Sequence, residues 1–144
     1  MGTTNFDAIQ AASVAAALVG NLTGQITAYP TAARTATAAP GGTTGVIADA
    51  GMLQFVTVTS DDANKVITLP TPTPGTIVIL RNGATGYELR SSAPATVAIN
   101  GGTGANAESA IAANSMVIAI CTSATTWQAI GIAAATLAAV EAAA

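Results

Sequence analysis

The sequence predicts a mainly β protein, an antiparallel β barrel or jelly roll preceded by an N-terminal helix and an extended arm. Short segments rich in β-branched residues recur over residues 51–132, and Gly, Pro and Asn separate them. Their starts fall mostly ten to twelve residues apart, the spacing of a sandwich or barrel. We therefore divide the chain into a helix and arm (1–50), a β-barrel domain (51–132) and an Ala-rich C-terminal tail (133–144).

Residues 5–19 carry the pattern of a helix. Thr4 followed by Asp7 resembles an N-cap with an acidic first turn, and Ala dominates the residues that follow. Phe6, Ile9 and Val19 fall on one narrow apolar stripe at roughly helical spacing. Such a helix is marginal alone in water, so the stripe predicts packing against another surface.

Residues 20–50 predict a long arm or connector, because Pro and Gly interrupt a stretch of Ala and Thr. A structureless segment of this length is unusual inside a compact domain. We expect it to be either disordered or laid against a neighbouring subunit, with short strands possible at 25–28 and 44–48.

Seven segments are predicted as strands: 52–59, 65–69, 76–81, 86–90, 96–99, 116–121 and 126–132. Residues 76–80 are apolar at both alternating positions, which indicates a strand covered on each side. Tyr87 and Leu89 instead alternate with charged residues, as in a half-exposed strand. Asn82-Gly83 is predicted as a turn between two strands. The tail has strong helix propensity and one charged residue, Glu141.

The composition favours an assembly subunit over a monomer. Charged residues make up 8% of the chain, against roughly 25% in typical globular domains, and the net charge is −3. The chain contains 35 Ala and 22 Thr, so the core is expected to be thin. Charged residues are depleted at the centre of stable interfaces, which is why we expect much of the surface to meet a partner.

Several partner classes are disfavoured. The four basic residues do not cluster, which argues against nucleic acid. No apolar run approaches the roughly 18–20 residues needed to span a bilayer. The residues before the Ala-rich stretch at 11–20 lack the basic start of a secretory signal.

No residue pattern predicts catalysis, a cofactor or a metal. The chain has no His to serve as a base. Cys121 lies in an apolar run and is interpreted as a small buried hydrophobe. The sequence "DDAN" at 61–64 lacks the ligand spacing of a calcium loop and is interpreted as a polar turn. The Gly-rich loop at 99–109 matches neither nucleotide-binding pattern, and Trp127 is assigned to the core rather than to a ligand.

Two segments together resemble β modules of bacteriophage particles. They are "ANKVITLPTPTPGTIVILRNGATGYELRSSAPATVAINGG" and "AANSMVIAICTSATTWQAIG", with "ITLP", "ING", "AANS" and a Thr-Trp hairpin as the recurring features. The resemblance covers roughly residues 63–132. It implies a trimeric β barrel, and, for a short free-standing protein, a head decoration or cement protein that clamps neighbouring capsomers. Because the sequence begins at Met1 and ends soon after the module, no fibre shaft is expected, which favours cement over fibre.

The resemblance implies a homotrimer that binds the phage major capsid protein on the outer surface of the virion after synthesis in the host cytoplasm. The expected capsid-contact candidates are Phe6, Ile9, Val19, Leu22, Ile26 and Tyr29. A phage tail-fibre or receptor/glycan-binding knob remains the alternative. An enzyme such as a depolymerase would need a carboxylate pair, and no spacing among Asp49, Asp61, Asp62, Glu88 and Glu108 selects one.

Overall fold

The computed structural model describes residues 29–30, 33–38 and 42–133. In these residues the protein is mainly β and contains no helix. The ten strands are β1 (Tyr29–Pro30), β2 (Arg34–Thr35), β3 (Leu53–Thr59), β4 (Val66–Thr68), β5 (Ile77–Asn82), β6 (Tyr87–Arg90), β7 (Ala98–Ile99), β8 (Ser109–Ile111), β9 (Ser115–Ser123) and β10 (Thr126–Ala133). The predicted helix at 5–19, the possible strand at 25–28 and the tail after Ala133 lie outside the described residues.

The strands form two sheets. The large sheet has the order β1-β3-β5-β9-β10-β7, with β2 also paired to β3, and the small sheet has the order β4-β6-β8. Strand β3 runs parallel to β5, with Leu53 opposite Ile77. The pairing of β2 with β3 has the same offset along the sequence, since Arg34 lies opposite Val58. The parallel part of the large sheet therefore gains its strands at a constant step along the chain.

The small sheet repeats in step with the large one. Val66 of β4 lies opposite Glu88 of β6 in a parallel pair. An isolated parallel bridge joins Val46 to Thr68 with the same offset, which is slightly shorter than that of the large sheet. One coil of the chain, such as residues 53–76, thus passes first through the large sheet and then through the small one. The architecture is a short β-solenoid.

The predicted antiparallel barrel or jelly roll is therefore wrong. The spacing of ten to twelve residues between strand starts is real, but it separates two sheets within one coil rather than two hairpin partners. Strands consecutive in sequence, such as β3 and β4, lie in different sheets, and β3 is hydrogen-bonded to β1, β2 and β5. Turn residues and strand lengths are similar in a β-solenoid and in an antiparallel barrel, so the spacing of strand segments in the sequence does not distinguish the two folds.

The C-terminal part of the chain reverses direction and closes the coils. Strands β8 and β9 pair antiparallel with β6 and β5, and β10 forms a hairpin with β9. Strand β7 pairs parallel with the start of β10, and Asn100 extends that ladder with its side chain. The Asn100 Nδ2 donates to the Ala129 carbonyl at 2.9 Å, and the Ala129 N–H donates to Asn100 Oδ1 at 2.8 Å.

The core lies between the two sheets. Its side chains are Ala36, Ile47, Val56, Val58, Ile67, Leu69, Val78, Leu80, Tyr87, Leu89, Val97, Ile99, Val117, Ala119, Cys121 and Trp127. Trp127 is the largest of the fully buried side chains, and Cys121 is buried beside it in register. Both predictions of a core role are confirmed. With Val and Ala at many positions, a single large ring fills much of the available space.

The boundary predicted at residue 51 falls inside the fold. Ala36 and Ile47 belong to the core, and the Ala36 N–H donates to the Thr59 carbonyl while the Ile47 N–H donates to the Thr68 carbonyl, both at 2.9 Å. Residues 33–38 and 42–50 thus form most of a first coil. Ala and Thr give little apolar periodicity, which is why the sequence of this coil resembles that of an arm.

Asn82-Gly83 lies between two strands as predicted, at the end of β5 and before β6, but these strands belong to different sheets and form no hairpin. The buried Asn82 side chain instead ties two loops to the sheet. Its Nδ2 donates to the Thr85 and Ala112 carbonyls at 2.8 and 3.0 Å, and its Oδ1 accepts from the Ser115 N–H at 3.0 Å. A buried amide with three partners is satisfied and holds a unique geometry.

Candidate functional site: the outer face of the large sheet

The outer face of the large sheet is apolar, although it is turned away from the core. Alternate residues of β3, β5, β9 and β10 point outward, because the residues between them are buried against the small sheet. Nine of these outward side chains are apolar: Leu53, Phe55, Ile77, Ile79, Met116, Ile118, Ile120, Ile130 and Ile132. We refer to these nine residues as the apolar face.

Strand register arranges the apolar face in three rows across the sheet. The middle row is apolar throughout, with Phe55 opposite Ile79, Ile79 opposite Ile118, and Ile118 opposite Ile130. The first row contains Leu53, Ile77, Ile120 and Gln128, and the third contains Thr57, Arg81, Met116 and Ile132. Polar side chains therefore occur only in the two end rows of this patch.

The degree of exposure follows from position in the sheet. Ile130 is 66% exposed and Phe55 is 46% exposed, whereas Ile79 and Ile118 on the central strands are half-buried by their row neighbours. Scattered surface apolar residues are normal, but contiguous patches of this kind on soluble proteins mark interaction sites. Parallel strands are also normally covered on both faces, and β3 and β5 are a parallel pair.

Arg81 is the only charged side chain among the outward positions of these four described strands. It lies at the end of β5, between two surface depressions of about 380 and 370 Å³. Neither depression is lined by an acidic side chain. The third row therefore combines one cation with Thr and Asn neighbours and offers no acid/base pair.

Asp49, Asp61 and Asp62 each hold a backbone N–H group or a neighbouring lysine. The Asp49 carboxylate accepts from the Thr71 N–H at 2.8 Å, and the Asp62 carboxylate accepts from the Asn64 N–H at 2.9 Å. Asp61 pairs with Lys65 at 2.7 Å, and the hydrogen bond from this ammonium lowers the pKa of Asp61. The segment 61–64 is thus a polar turn, as predicted. No group of three potential metal-ligating side chains occurs in the part of the chain that the structure describes.

One ion pair organises the Gly-rich loop at 99–109. Arg90 donates to the Glu108 carboxylate at 2.9 Å and to the Ala105 carbonyl at 2.6 Å, so the loop is held against the small sheet. Burial, and then the negative charge of Glu108, raise the pKa of Glu88. The loop is thus bound by Arg90 of the same chain, and it contains no lysine that could bind a phosphate group.

Trp127, Tyr87 and Cys121, which could contact a ligand through a polar group, are inside the protein. Trp127 and Tyr87 are fully buried, and neither the indole N–H nor the phenol O–H has a hydrogen-bond partner. Burial raises the pKa of Tyr87 and that of the Cys121 thiol, which donates to the Ser123 carbonyl at 3.1 Å. A buried thiol with a raised pKa is a poor nucleophile.

Five of the six predicted capsid-contact residues lie outside the part of the chain that the structure describes, so this prediction stays a prediction. These five are Phe6, Ile9, Val19, Leu22 and Ile26. The Tyr29 backbone belongs to β1, which pairs parallel with β3 at Gln54 and Phe55. The residues before Tyr29 thus join the described fold at the edge of the apolar face.

The sequence alone does not predict the apolar face. The signal is present in "TIVILR" and "MVIAIC", whose alternate positions are apolar on both sides. The first of these is predicted as a strand covered twice, and the structure leaves its second side to solvent. Without the strand order, the four segments that make up one face cannot be recognised as neighbours.

Comparisons with protein-family models, with curated proteins and with solved structures give no match for this chain. Among the described residues there is also no helix with the length and apolarity needed to cross a membrane. The function is therefore inferred from the geometry above and from the resemblance carried by residues 63–132.

Proposed function

We propose that this protein is a structural virion subunit, a capsid decoration or cement protein that stabilises a phage head by bridging capsomers. The observation that carries the assembly role is the apolar face, nine apolar side chains with one charged neighbour on a single sheet surface. Surfaces of this composition are energetically favourable only when another surface covers them. The resemblance to phage head modules supplies the particular assembly.

Under this proposal the protein is a homotrimer whose subunits do no chemistry. Four of the five acidic side chains of the described residues accept a hydrogen bond or pair with a cation, and Trp127 and Cys121 are buried. These assignments favour a scaffold over an enzyme, because a catalytic pair needs two accessible groups facing a common cavity. No cofactor or metal is part of the proposal.

The proposed contact with the major capsid protein is the N-terminal segment. Its apolar residues Phe6, Ile9, Val19, Leu22 and Ile26 precede Tyr29, where the chain joins the edge of β3. An extended chain reaches about 3.3 Å per residue, so the segment before Tyr29 has the length to reach a neighbouring capsomer. Several such segments in one oligomer would bind together through their effective concentration.

A phage tail-fibre or receptor/glycan-binding knob is the second candidate. The coil architecture favours it to some extent, because a solenoid extends along one axis by adding further coils and so suits an elongated particle. The aromatic side chain that is most accessible in the described residues is Phe55, whose 46% exposure lies within the apolar face. A knob that stacks on sugars would be expected to present more than this ring.

The test is electron microscopy of the phage particles with and without this protein, followed by adding the purified full chain back. We expect density on the outer surface of the head that returns on addition, and heads that withstand a higher temperature before releasing DNA. A Phe6→Lys/Ile9→Lys variant is expected to fold and to bind heads weakly, and Ala110→Lys is the matched control on the small sheet. Density at the tail would favour the second candidate, and absence from the particle would contradict both.

A further inference from the structure

We infer that the apolar face is the surface through which copies of this chain pack on one another. This inference deepens the proposed function and depends on it only for the number of copies. The face comprises three rows on four strands, and the four residues of its middle row are all apolar. A face whose central row is apolar throughout is complementary to itself, which is what an isologous contact between identical subunits requires.

The dimensions fit the centre of a subunit interface. Four strands span about 14 Å between the outer two, and three alternate rows span about 13 Å along the strands. With their side chains the nine residues cover roughly 400 Å², while a standard interface buries about 800 Å² on each partner. The remainder is available in the polar border formed by Thr57, Thr59, Thr122 and Gln128, which point outward around the same patch. An apolar centre with a polar border is the usual anatomy of such interfaces.

The position of the charge is also compatible with self-association. Arg81 lies in the third row, between Thr57 and Met116, and not in the middle row. It therefore falls at the border of the contact, where the guanidinium group remains hydrated. The centre contains no charge that a second copy would leave unpaired and buried.

The chain's own remaining segments are a poorer cover than a second copy. Residues 1–28 contain one charged side chain, Asp7, and residues 134–144 contain one, Glu141. The apolar residues of the first segment include Val14 and Leu18 beside the stripe of Phe6, Ile9 and Val19. If this segment covered the face with its stripe, Val14 and Leu18 would remain outside the contact as newly exposed apolar residues. Packing against the same face of a second copy instead buries the apolar surface of both subunits.

The test is the mass of the full chain in solution, measured by light scattering over a range of concentrations. We expect a multiple of 13.9 kDa for the natural sequence. Ile130→Lys is expected to shift the protein to 13.9 kDa, because the side chain is 66% exposed and a lysine there is tolerated until a second copy covers it. Ala110→Lys, an exposed strand position of the small sheet, is expected to keep the natural mass.

A second variant keeps the test decisive if Ile130→Lys does not fold. In Ile130→Cys, the introduced thiol is expected to be protected from an aqueous thiol reagent in the oligomer and to react once dilution gives the monomer, since Cys121 is buried and does not compete. The thiol of Ala110→Cys should react equally in both states. Three results would each overturn the inference: a monomeric natural chain, an unchanged mass in Ile130→Lys, or an introduced thiol in Ile130→Cys that is protected within a monomer. The last of these would indicate that the chain covers its own face.

The two proposals can fail separately. If the natural chain forms an oligomer that Ile130→Lys dissociates, but this oligomer does not bind phage heads, the capsid role is contradicted and the inference stands. A monomer that binds heads contradicts the inference alone.

Discussion

The outer faces of the two sheets differ although both belong to the same coils. On the small sheet, Val66 and Thr68 alternate with core residues of the same strand and are nevertheless buried, and the first coil pairs with the edge of this strand through the bridges Thr37–Val66 and Val46–Thr68. Their strand neighbours Glu88 and Arg90 are charged and half-buried, and Arg90 pairs with Glu108. These outward side chains of the small sheet are therefore wholly or partly buried, or paired, by other residues of the same chain.

On the large sheet, the corresponding positions are apolar and are left to solvent. Phe55 and Ile130 remain substantially exposed, and the described chain provides no layer over them. The contrast shows that outward position alone does not determine composition. On the outer face that the chain itself buries, Thr68, Glu88 and Arg90 occur beside Val66, whereas the outward positions left to solvent on the large sheet are mainly Ile, with Leu, Phe and Met. This contrast supports the proposed contact between copies.

The largest expected effect comes from removing the first coil. A chain of residues 51–144 loses Ala36, Ile47 and the backbone hydrogen bonds that join them to β3 and β4. We expect it to lose more than about 4 kcal/mol of unfolding free energy and to be largely unfolded. A chain of residues 29–144 keeps these contacts and should show the circular dichroism and urea midpoint of a folded protein. Equal stability of the two chains would contradict the role of the first coil.

The strands rich in β-branched residues are predictable from the sequence, and the first coil is not. The predicted segments at 52–59, 76–81 and 126–132 match β3, β5 and β10 closely, because each is a short run with β-branched residues bounded by turn residues. Strand β2 and the core positions Ala36 and Ile47 lie among Ala, Thr and Gly, whose burial leaves no apolar period.

The pairing partners are not predictable either, since parallel neighbours one coil apart share no sequence motif that distinguishes them from hairpin neighbours. Strand β8 is missed for a related reason. Its sequence, Ser109–Ile111, is short and forms a strand only because β6 offers an edge. The candidate site depends on this topology, so it emerges only from the structure.

The next largest effect is expected at the core that both sheets share. Trp127→Ala should cost about 3–5 kcal/mol, because the ring is fully buried and the surrounding Val and Ala side chains cannot fill the cavity. Trp127→Phe is the control, since it keeps much of the ring and removes an indole N–H that has no partner. We expect it to cost clearly less in urea unfolding. An alanine variant as stable as the natural chain would contradict the core assignment.

A smaller effect separates the two outer faces directly. Val66→Ala removes a side chain that the chain itself covers to 3% exposure, and should cost about 1.5–2.5 kcal/mol at any protein concentration. Ile130→Ala changes an exposed residue, so its cost in dilute solution should stay below about 0.5 kcal/mol. Its cost should grow at high concentration, where association contributes to stability. The measurement is urea unfolding at two concentrations, and parallel behaviour of the two variants would remove the contrast between the faces.

The smallest effect concerns the charge on the outer face of the small sheet. Burial and the nearby Glu108 raise the pKa of Glu88, so its contribution to stability is present at acid pH and is lost as the pH rises through the folded-state pKa. Glu88→Gln is therefore expected to be more stable than the natural chain at neutral pH, by less than about 0.5 kcal/mol because solvent screens a half-exposed charge. Below the ordinary pKa range of glutamate the two chains should be equally stable.

Asp61→Asn is the matched control for this last prediction, with the opposite sign. The ammonium of Lys65 lowers the pKa of Asp61, so this variant should be the less stable one at neutral pH, and its difference from the natural chain should also vanish in acid. Thermal unfolding at a series of pH values from acid to neutral measures both differences. Should the two variants deviate in the same direction at neutral pH, the charges of the small sheet would not be arranged as the structure has them, and the view that this face is satisfied within the chain would lose its electrostatic support.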